Sequence, residues 1–398
     1  MSTPAARLKA AAWLRAVRPI LSALDGAAGR SRVVGGAVRD TLLGLGRPVK
    51  DIDVATELVP EVVADRAQAA GFRVVPTGLA HGTVTVLGAG IRAEVTTLRE
   101  DVETDGRRAR VVFGTDWNAD ARRRDFTMNA LYCDLDGVLC DPVGGLDDCL
   151  ARRVRFVGDP DRRIAEDRLR VLRYFRFCAT HGDQRFDPEA LAACARIGGD
   201  LGPVSAERIG QEMTRLLAAP KVADTFDAMA AAGLLPALGL DGSAREDLVR
   251  LEAGGRHPAA AERLAVLGHD AAGLAALGRR WRLSRAQVAE AEANLAFLPV
   301  VAAQDWNRLH YRAGPNGRRY LDFAFALGRV DAPGRAEGEA ALAQPAPPAF
   351  PLTGDDLLAA GFTPGRALGE ALEVARDAWI TSGFTLSREA LLERVRGK

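Results

Sequence analysis

The stretch from Val33 to Ala55, VVGGAVRDTLLGLGRPVKDIDVA, constrains this chain more than any other. Arg32-Val33-Val34 reads as the end of a strand. Gly35-Gly36 reads as a turn whose backbone can approach a ligand, because neither residue has a Cβ. Residues 37–43 read as a short helix, and its first turn offers unpaired N–H groups and partial positive charge, which suit a phosphate. Arg39 adds a planar donor fork on the same turn. After a loop, Asp51-Ile52-Asp53-Val54 alternates with the period of a strand, so both carboxylates share one face. Two adjacent carboxylates raise each other's pKa unless a cation lies between them. Hard oxygen ligands beside bound phosphates are how Mg²⁺ is held. The stretch therefore predicts Gly35, Gly36 and Arg39 at a triphosphate, with Asp51 and Asp53 at its metal.

The order strand, glycine pair, helix, loop, D-x-D is far more specific than any of its parts. It resembles the DNA polymerase beta-like nucleotidyltransferases. More narrowly, GGAVRDTLLG followed by KDIDVAT resembles the bacterial class II tRNA nucleotidyltransferase (CCA-adding) and poly(A) polymerase family. The resemblance implies an α+β fold: a polymerase beta-like head with a mixed β-sheet, then an all-helical neck, body and tail. At 398 residues the chain is too long for one ordinary core. We expect the head over 1–150, a nucleotide-selecting neck over 151–225, a body over 226–343, and a linker with an RNA-contacting tail over 344–398.

Within the head, residues 59–70 read as a helix with Pro60 in its first turn. Residues 72–75, 83–87 and 91–98 read as strands, the last two as a hairpin. If the last strand lies beside residues 51–54, Glu94 is the natural third carboxylate. Residues 99–119 carry many charges and no clear period, so they read as a mobile loop over the site. Residues 120–131 read as a helix leading into a strand at 132–134. The block RRDFTMNAL resembles a block of the same family, and Arg124 matches the arginine that there binds the incoming nucleotide.

The second informative region is RRVRFVGDPDRRIAEDRLRVLRYFRFCAT. Asp159-Pro160 marks a helix start, and the helix is expected to run on to Thr180. Ile164, Val171, Phe175 and Ala179 share its apolar face; Glu166, Arg170, Arg173 and Phe177 lie opposite, with Asp167 next to Arg170 at i,i+3. The segment resembles the family's EDxxRxxR nucleotide-selecting motif. Asp167 only accepts hydrogen bonds and Arg170 only donates them. Cytosine and adenine each present an amino donor beside a ring acceptor, which such a pair matches. Uracil and guanine present the reverse order, and each mismatched buried polar group costs about 1–3 kcal/mol. The resemblance places Arg173 and Arg176 at nucleotide phosphate or base, Arg176 being equally readable as a neck salt bridge. SAERIGQEMTRLL at 205–217 resembles the family's ERI–E motif and reads as structural support for the selecting helix.

The remaining features bound the function. The formal net charge is +1, so overall charge points to no partner. The five cysteines lack CxxC pairing, which predicts a reducing cytoplasmic setting rather than disulfides or zinc. Arg7, Lys9, Arg15 and Arg18 interrupt the N-terminal apolar residues, so this stretch reads as an amphipathic helix and no membrane span is expected. His269-Asp270 is too isolated for a phosphohydrolase site, and His181 reads as ordinary. Residues 344–351 are Pro-rich and extended, and the PGR turn at 364–366 reads equally as an RNA-backbone grip or a helix cap. The resemblance implies addition of C, C and A to the 3′ end of tRNA from CTP and ATP, with Mg²⁺ and no obligate protein partner. Poly(A) addition, partial CC or A addition, and an idle RNA-binding scaffold are the alternatives.

Overall fold

The D-x-D segment forms the centre of the sheet. In the computed structural model, which describes residues 3–78, 82–88, 90–105 and 108–396, helices α1 (Pro4–Ala10) and α2 (Ala12–Ala23) precede β1 (Ser31–Val34), α3 (Gly36–Leu42) and β2 (Asp51–Thr56). Helix α4 (Pro60–Ala69) then leads into β3 (Arg73–Gly78), β4 (Thr83–Gly88) and β5 (Ile91–Thr97). The seven-stranded sheet is completed by β8 (Tyr132–Cys133) and β9 (Leu139–Cys140), in the order β3-β4-β5-β2-β1-β8-β9. Only β2 and β5 run parallel; the other pairings are antiparallel, so the sheet is mixed. Ile52 and Val54 are buried while Asp51 and Asp53 are exposed, as the period-2 pattern requires.

Two head segments differ from expectation. The charged stretch after β5 forms a separate antiparallel ribbon, β6 (Arg99–Asp105) with β7 (Arg108–Phe113), rather than an aperiodic loop. Its tip, Gly106 and Arg107, lies outside the described residues, as does His81. Cross-strand pairing of Val102 with Arg110 and of Asp101 with Val111 supplies the order that the single-strand pattern concealed. The helix expected over 120–131 is instead α5 (Trp117–Arg122), capped by Asp116, with a short 3₁₀ turn at Thr127–Asn129. The chain must break there because Thr127 donates its N–H to the Arg155 carbonyl and its hydroxyl to Asp148.

The chain divides into two compact units, residues 1–238 and 239–398. In the first, α6 (Gly145–Leu150), α7 (Pro160–Glu166), α8 (Leu169–Thr180), α9 (Pro188–Ile197) and α10 (Ala206–Leu217) follow the sheet. Phe126, Phe156, Tyr174 and Phe177 form one aromatic cluster that packs α8 against the segment before β8. The regular elements among the described residues of the second unit are helices, with the Pro-rich segment lying between two of them. Its C-terminal cluster of Leu357, Trp379, Ile380 and Leu391 includes the Pro-rich segment through Phe350, whose ring meets Trp379 edge-on. Arg312 ties helix Trp306–Ala313 to helix Arg366–Thr381 through Glu373 and Asp377, at 2.7 and 2.9 Å. Arg366, of the PGR turn, is almost wholly exposed.

Candidate active site

The glycine turn forms where expected. Gly35 has φ +74° and ψ −121°, a conformation closed to side-chain-bearing residues. Its N–H donates to the Leu131 carbonyl and its carbonyl accepts from Arg39, at 3.1 and 2.9 Å. A Cβ on Gly36 would meet only the Arg39 guanidinium, at 3.8 Å, so the turn leaves space above the backbone. Arg39 itself is not a free fork. It is buried, donating to Asn129 Oδ1 at 2.5 Å and from Nε to Asp40 Oδ1 at 2.8 Å. Its charge is buried beside the turn, committed to Asp40 and Asn129.

The parallel register of β2 and β5 sets Asp51 opposite Arg92 and Asp53 opposite Glu94. Glu94 thus arrives beside the two aspartates, and it is held there by Arg92 at 2.6 Å. Burial, then the neighbouring charge of Glu94, raises the pKa of Asp53 above its ordinary value, with Arg124 pulling the other way. The Asp53 side chain reaches solvent at the cleft mouth while protein crowds its carboxylate. A cation beside these carboxylates would relieve the repulsion. Among the described residues no three His, Cys, Asp or Glu side chains enclose an ion. The donor set therefore fits a hard divalent ion held by Asp51 and Asp53 with substrate phosphate and water, rather than by an all-protein cage.

Asp53 opens into a cleft of about 360 Å³, lined also by Thr83, Thr96, Arg123 and Arg124. Arg124 donates to Asp120 at 2.9 Å and, through Nε, to the Tyr132 hydroxyl at 3.1 Å. Burial pulls its pKa down most strongly of any one cause, but the Asp120 carboxylate and the Tyr132 hydroxyl together outweigh it and the net shift is upward. Asp120 also binds Arg123 and accepts the Tyr132 hydroxyl proton at 2.7 Å. Asp120 was not anticipated, although its i,i+3 and i,i+4 spacing to the two arginines is a readable signal.

The selecting segment departs most from expectation. The single helix over 159–180 is broken between α7 and α8, with Asp167 extended at φ −154°, ψ 105°. The Asp167 carboxylate accepts from the Leu169 N–H at 3.1 Å, competing with helix continuation. The Arg170 N–H donates to the Asp167 carbonyl at 3.0 Å, but the two side chains are paired elsewhere. Asp167 pairs with Arg208 of α10 at 2.7 Å, and Arg170 binds Glu166 at 2.6 Å and the Arg163 carbonyl at 2.9 Å. Arg173 binds Asp125, its Nε at 2.8 Å, and Arg176 binds Glu212 of α10 at 2.5 Å. Burial lowers the Arg176 pKa, partly offset by Glu212. The ERI–E motif thus braces α8, and Asp167 just before it, through Arg208 and Glu212. His181 is not ordinary: it is buried, bonded to Asp40 and to Thr180.

A mixed sheet that joins a glycine turn to two aspartates and a parallel neighbouring glutamate defines a nucleotidyltransferase head. Residues 31–155 match the poly(A) polymerase head domain, and residues 185–239 match the “Probable RNA and SrmB- binding site of polymerase A”. The mitochondrial CCA tRNA nucleotidyltransferase 1 of Danio rerio is 36% identical over 380 residues, covering 92% of this chain and 86% of that one. The CCA-adding enzyme of Limosilactobacillus fermentum is 33% identical over 365 residues, covering 89% and 90%. The crystal structure of the Bacillus stearothermophilus CCA-adding enzyme in complex with CTP superposes with a TM-score of 0.76 at 28% identity, over 96% of this chain and 97% of that one. The chain belongs to the CCA-adding enzyme and poly(A) polymerase family.

Proposed function

We propose that this chain adds C, C and A to the 3′ end of tRNA from CTP and ATP, without a nucleic-acid template. The observation that carries this reading is the shared face of Asp51, Asp53 and Glu94 beside an arginine-lined cleft, in a chain whose relatives are CCA-adding enzymes along most of their length. The 3′-oxygen of the RNA attacks the α-phosphorus, the bond to the β-phosphate oxygen breaks, and the hydroxyl proton leaves to water as pyrophosphate departs. Asp51 and Asp53 would hold Mg²⁺, with Glu94, held by Arg92, beside them. When bound, the metal supplies Lewis-acid charge at the phosphates and lowers the pKa of the attacking hydroxyl.

Gly35 and Gly36 leave room for the triphosphate, and Arg39 supplies positive charge from beside the turn. Arg124 seats the incoming nucleotide at the cleft. Asp167 and Arg170 read the base edge by exchanging their present partners, Arg208 and Glu166, for the amino group and ring nitrogen of cytosine or adenine. Arg173 and Arg176 hold the selecting helix at the nucleotide's side of the neck. The neck spans 151–225, the body 226–343 and the RNA-contacting tail 344–398. These helical parts meet tRNA by shape and backbone, not by sequence.

The cytoplasm is the proposed compartment. The five free cysteines are in keeping with a reducing one, and no helix among the described residues is long and apolar enough to cross a membrane. The test is incubation of the protein with tRNA lacking its 3′ end and each nucleotide singly, then together. CTP alone should add two residues, and ATP one more on the CC-ended product. Unlimited A addition would assign poly(A) synthesis instead, and no addition with any nucleotide would overturn the reading.

A further inference from the structure

We infer that Asn129 is a positioning residue that couples the glycine-turn helix to the base-reading helix through one buried hydrogen-bonded chain; the inference rests on the function proposed above. The chain starts at His181, whose Nε2 lies 3.2 Å from Asp40 Oδ1 at the end of α8. Asp40 accepts from Arg39 Nε at 2.8 Å, and Arg39 donates onward to Asn129 Oδ1 at 2.5 Å. Asn129 Nδ2 then donates to Asp125 Oδ1 at 3.0 Å, and Asp125 Oδ2 accepts from Arg173 Nε at 2.8 Å. Arg39 belongs to α3, directly after the glycine pair, whereas Arg173 belongs to α8, one turn beyond Arg170.

The middle position demands a side chain that both accepts and donates, which the Asn129 carboxamide does. The group must accept from a guanidinium on one side and donate to a carboxylate on the other. Aspartate can do only the first, and an apolar side chain neither. Asn129 is 8% exposed, so water has little access to replace a lost bond. Its backbone is fixed as well, in the 3₁₀ turn that interrupts the chain before β8.

The ring of Phe177 shows why the chain has to be wired in order. The guanidinium carbons of Arg39, Arg173 and Arg176 lie 5.1, 5.7 and 4.3 Å from its centre, and the His181 ring stacks on it at 5.2 Å. Three cations around one ring repel one another, and each has its own carboxylate: Asp40, Asp125 and Glu212. Asn129 is the neutral link between the first two of these pairs. Removing its donor leaves Asp125 with a lone pair unfilled and lets Arg173 shift relative to the turn that frames the triphosphate.

The test compares Asn129→Asp, which keeps the acceptor and loses the donor, with Asn129→Leu, which loses both. Single-nucleotide incorporation is measured with CTP, ATP and UTP on tRNA lacking its 3′ end and on the CC-ended form, and thermal melting establishes that each variant is folded. The preference for CTP over UTP in kcat/KM should fall at least about tenfold in both variants, as expected for losing a buried bond to a charged group. A purely structural role would lower the melting temperature and the fraction of active protein while leaving that ratio in place. An unchanged ratio in a folded variant overturns the inference. Should Asn129→Leu fail to fold, Asn129→Asp, which keeps the volume and sets a carboxylate where Asn129 donated to Asp125, decides alone. Failure of the unmodified chain to add nucleotides would overturn the proposed function instead, and so the two are separable.

Discussion

The Arg208 guanidinium grips both oxygens of the Asp167 carboxylate, at 2.7 and 3.3 Å, and so ties the start of α8 to α10. Both side chains are partly exposed, which limits what the pair adds to stability. Arg208→Ala should change the unfolding free energy by less than about 1 kcal/mol. It should nevertheless weaken the preference for CTP over UTP, because the tie that sets the start of α8 against α10, and with it Asp167 and Arg170, would be lost. Urea unfolding together with incorporation kinetics checks both halves. A stability loss of several kcal/mol, or an unchanged preference, would show that the pair is merely a brace.

Glu212 is a different kind of partner. It is buried and faces Arg173, Arg176 and Arg215 at 3.7, 2.5 and 3.2 Å. Removing its charge leaves Arg176 in a site that already disfavours the cation. Glu212→Gln should therefore cost about 3 kcal/mol or more, the range for breaking a buried pair from one side. Adding Arg176→Gln should recover part of that loss, and a double-mutant cycle by chemical denaturation measures the coupling.

The carboxylate face makes the sharpest activity prediction. Asp51→Asn and Asp53→Asn should each abolish nucleotide addition while leaving the circular dichroism spectrum and tRNA binding close to those of the unmodified chain. Both side chains are exposed, so neither substitution disturbs a core contact. Activity within a few fold of the unmodified chain in either variant would remove these residues from the metal site.

His181 predicts an acid sensitivity. Burial lowers its pKa to about 4 against an ordinary 6.5, with Asp40 resisting and Arg39 adding to the fall. The unfolded state therefore takes up a proton near pH 6.5 that the folded state refuses until about pH 4. The stability at stake is complete above 6.5 and is lost as pH falls toward 4, amounting to about 3 kcal/mol at the low end. His181→Asn removes the titration. The stability gap between the two proteins should thus narrow by that order as pH is lowered from 7 to 4 in buffered urea melts. A gap independent of pH would mean that His181 titrates alike in both states.

What could be read from sequence follows from how local the signal is. The strand carrying Asp51 and Asp53, the turn at Gly35 and the start of α4 at Pro60 each rest on a few neighbouring residues, and they form as expected. Glu94 needed one further step, a guess at strand adjacency, and the parallel register supplies it. Arg39 shows the limit: its position was evident, but its inward turn depends on Asn129, ninety positions away. The break at Asp167 was hidden for the same reason. The helical wheel accommodated residues 159–180 as one element, whereas Asp167 is held by Arg208, forty-one positions on. The ribbon at 99–113 escaped because its order lies in pairing between two strands and not in either alone.

The broken helix also changes how base choice has to be tested. Asp167 and Arg170 were expected to face a base as a ready-made pair, yet each is committed to another residue, Arg208 and Glu166 respectively. On the proposed reading a nucleotide displaces those partners, so the correct base has to offer at least what it replaces. Cytosine and adenine do so, with an amino group for Asp167 and a ring nitrogen for Arg170. Uracil would set its O4 oxygen against the carboxylate and its N–H against the guanidinium. Asp167→Ala should therefore relax discrimination against UTP and lower efficiency with CTP and ATP. Arg170→Ala should be the more severe, because it removes both the donor to the ring nitrogen and the guanidinium that holds Glu166 and the Arg163 carbonyl in place. A hydrogen bond to a charged group contributes about 1.5–3 kcal/mol, so changes of roughly ten- to a hundredfold or more in kcat/KM are expected. Incorporation kinetics with all four nucleotides, on tRNAs ending at each stage, decide the matter. If Asp167→Ala keeps its full preference, the carboxylate's work is finished in holding Arg208 and capping α8, and base choice must be made by other groups around the bound nucleotide.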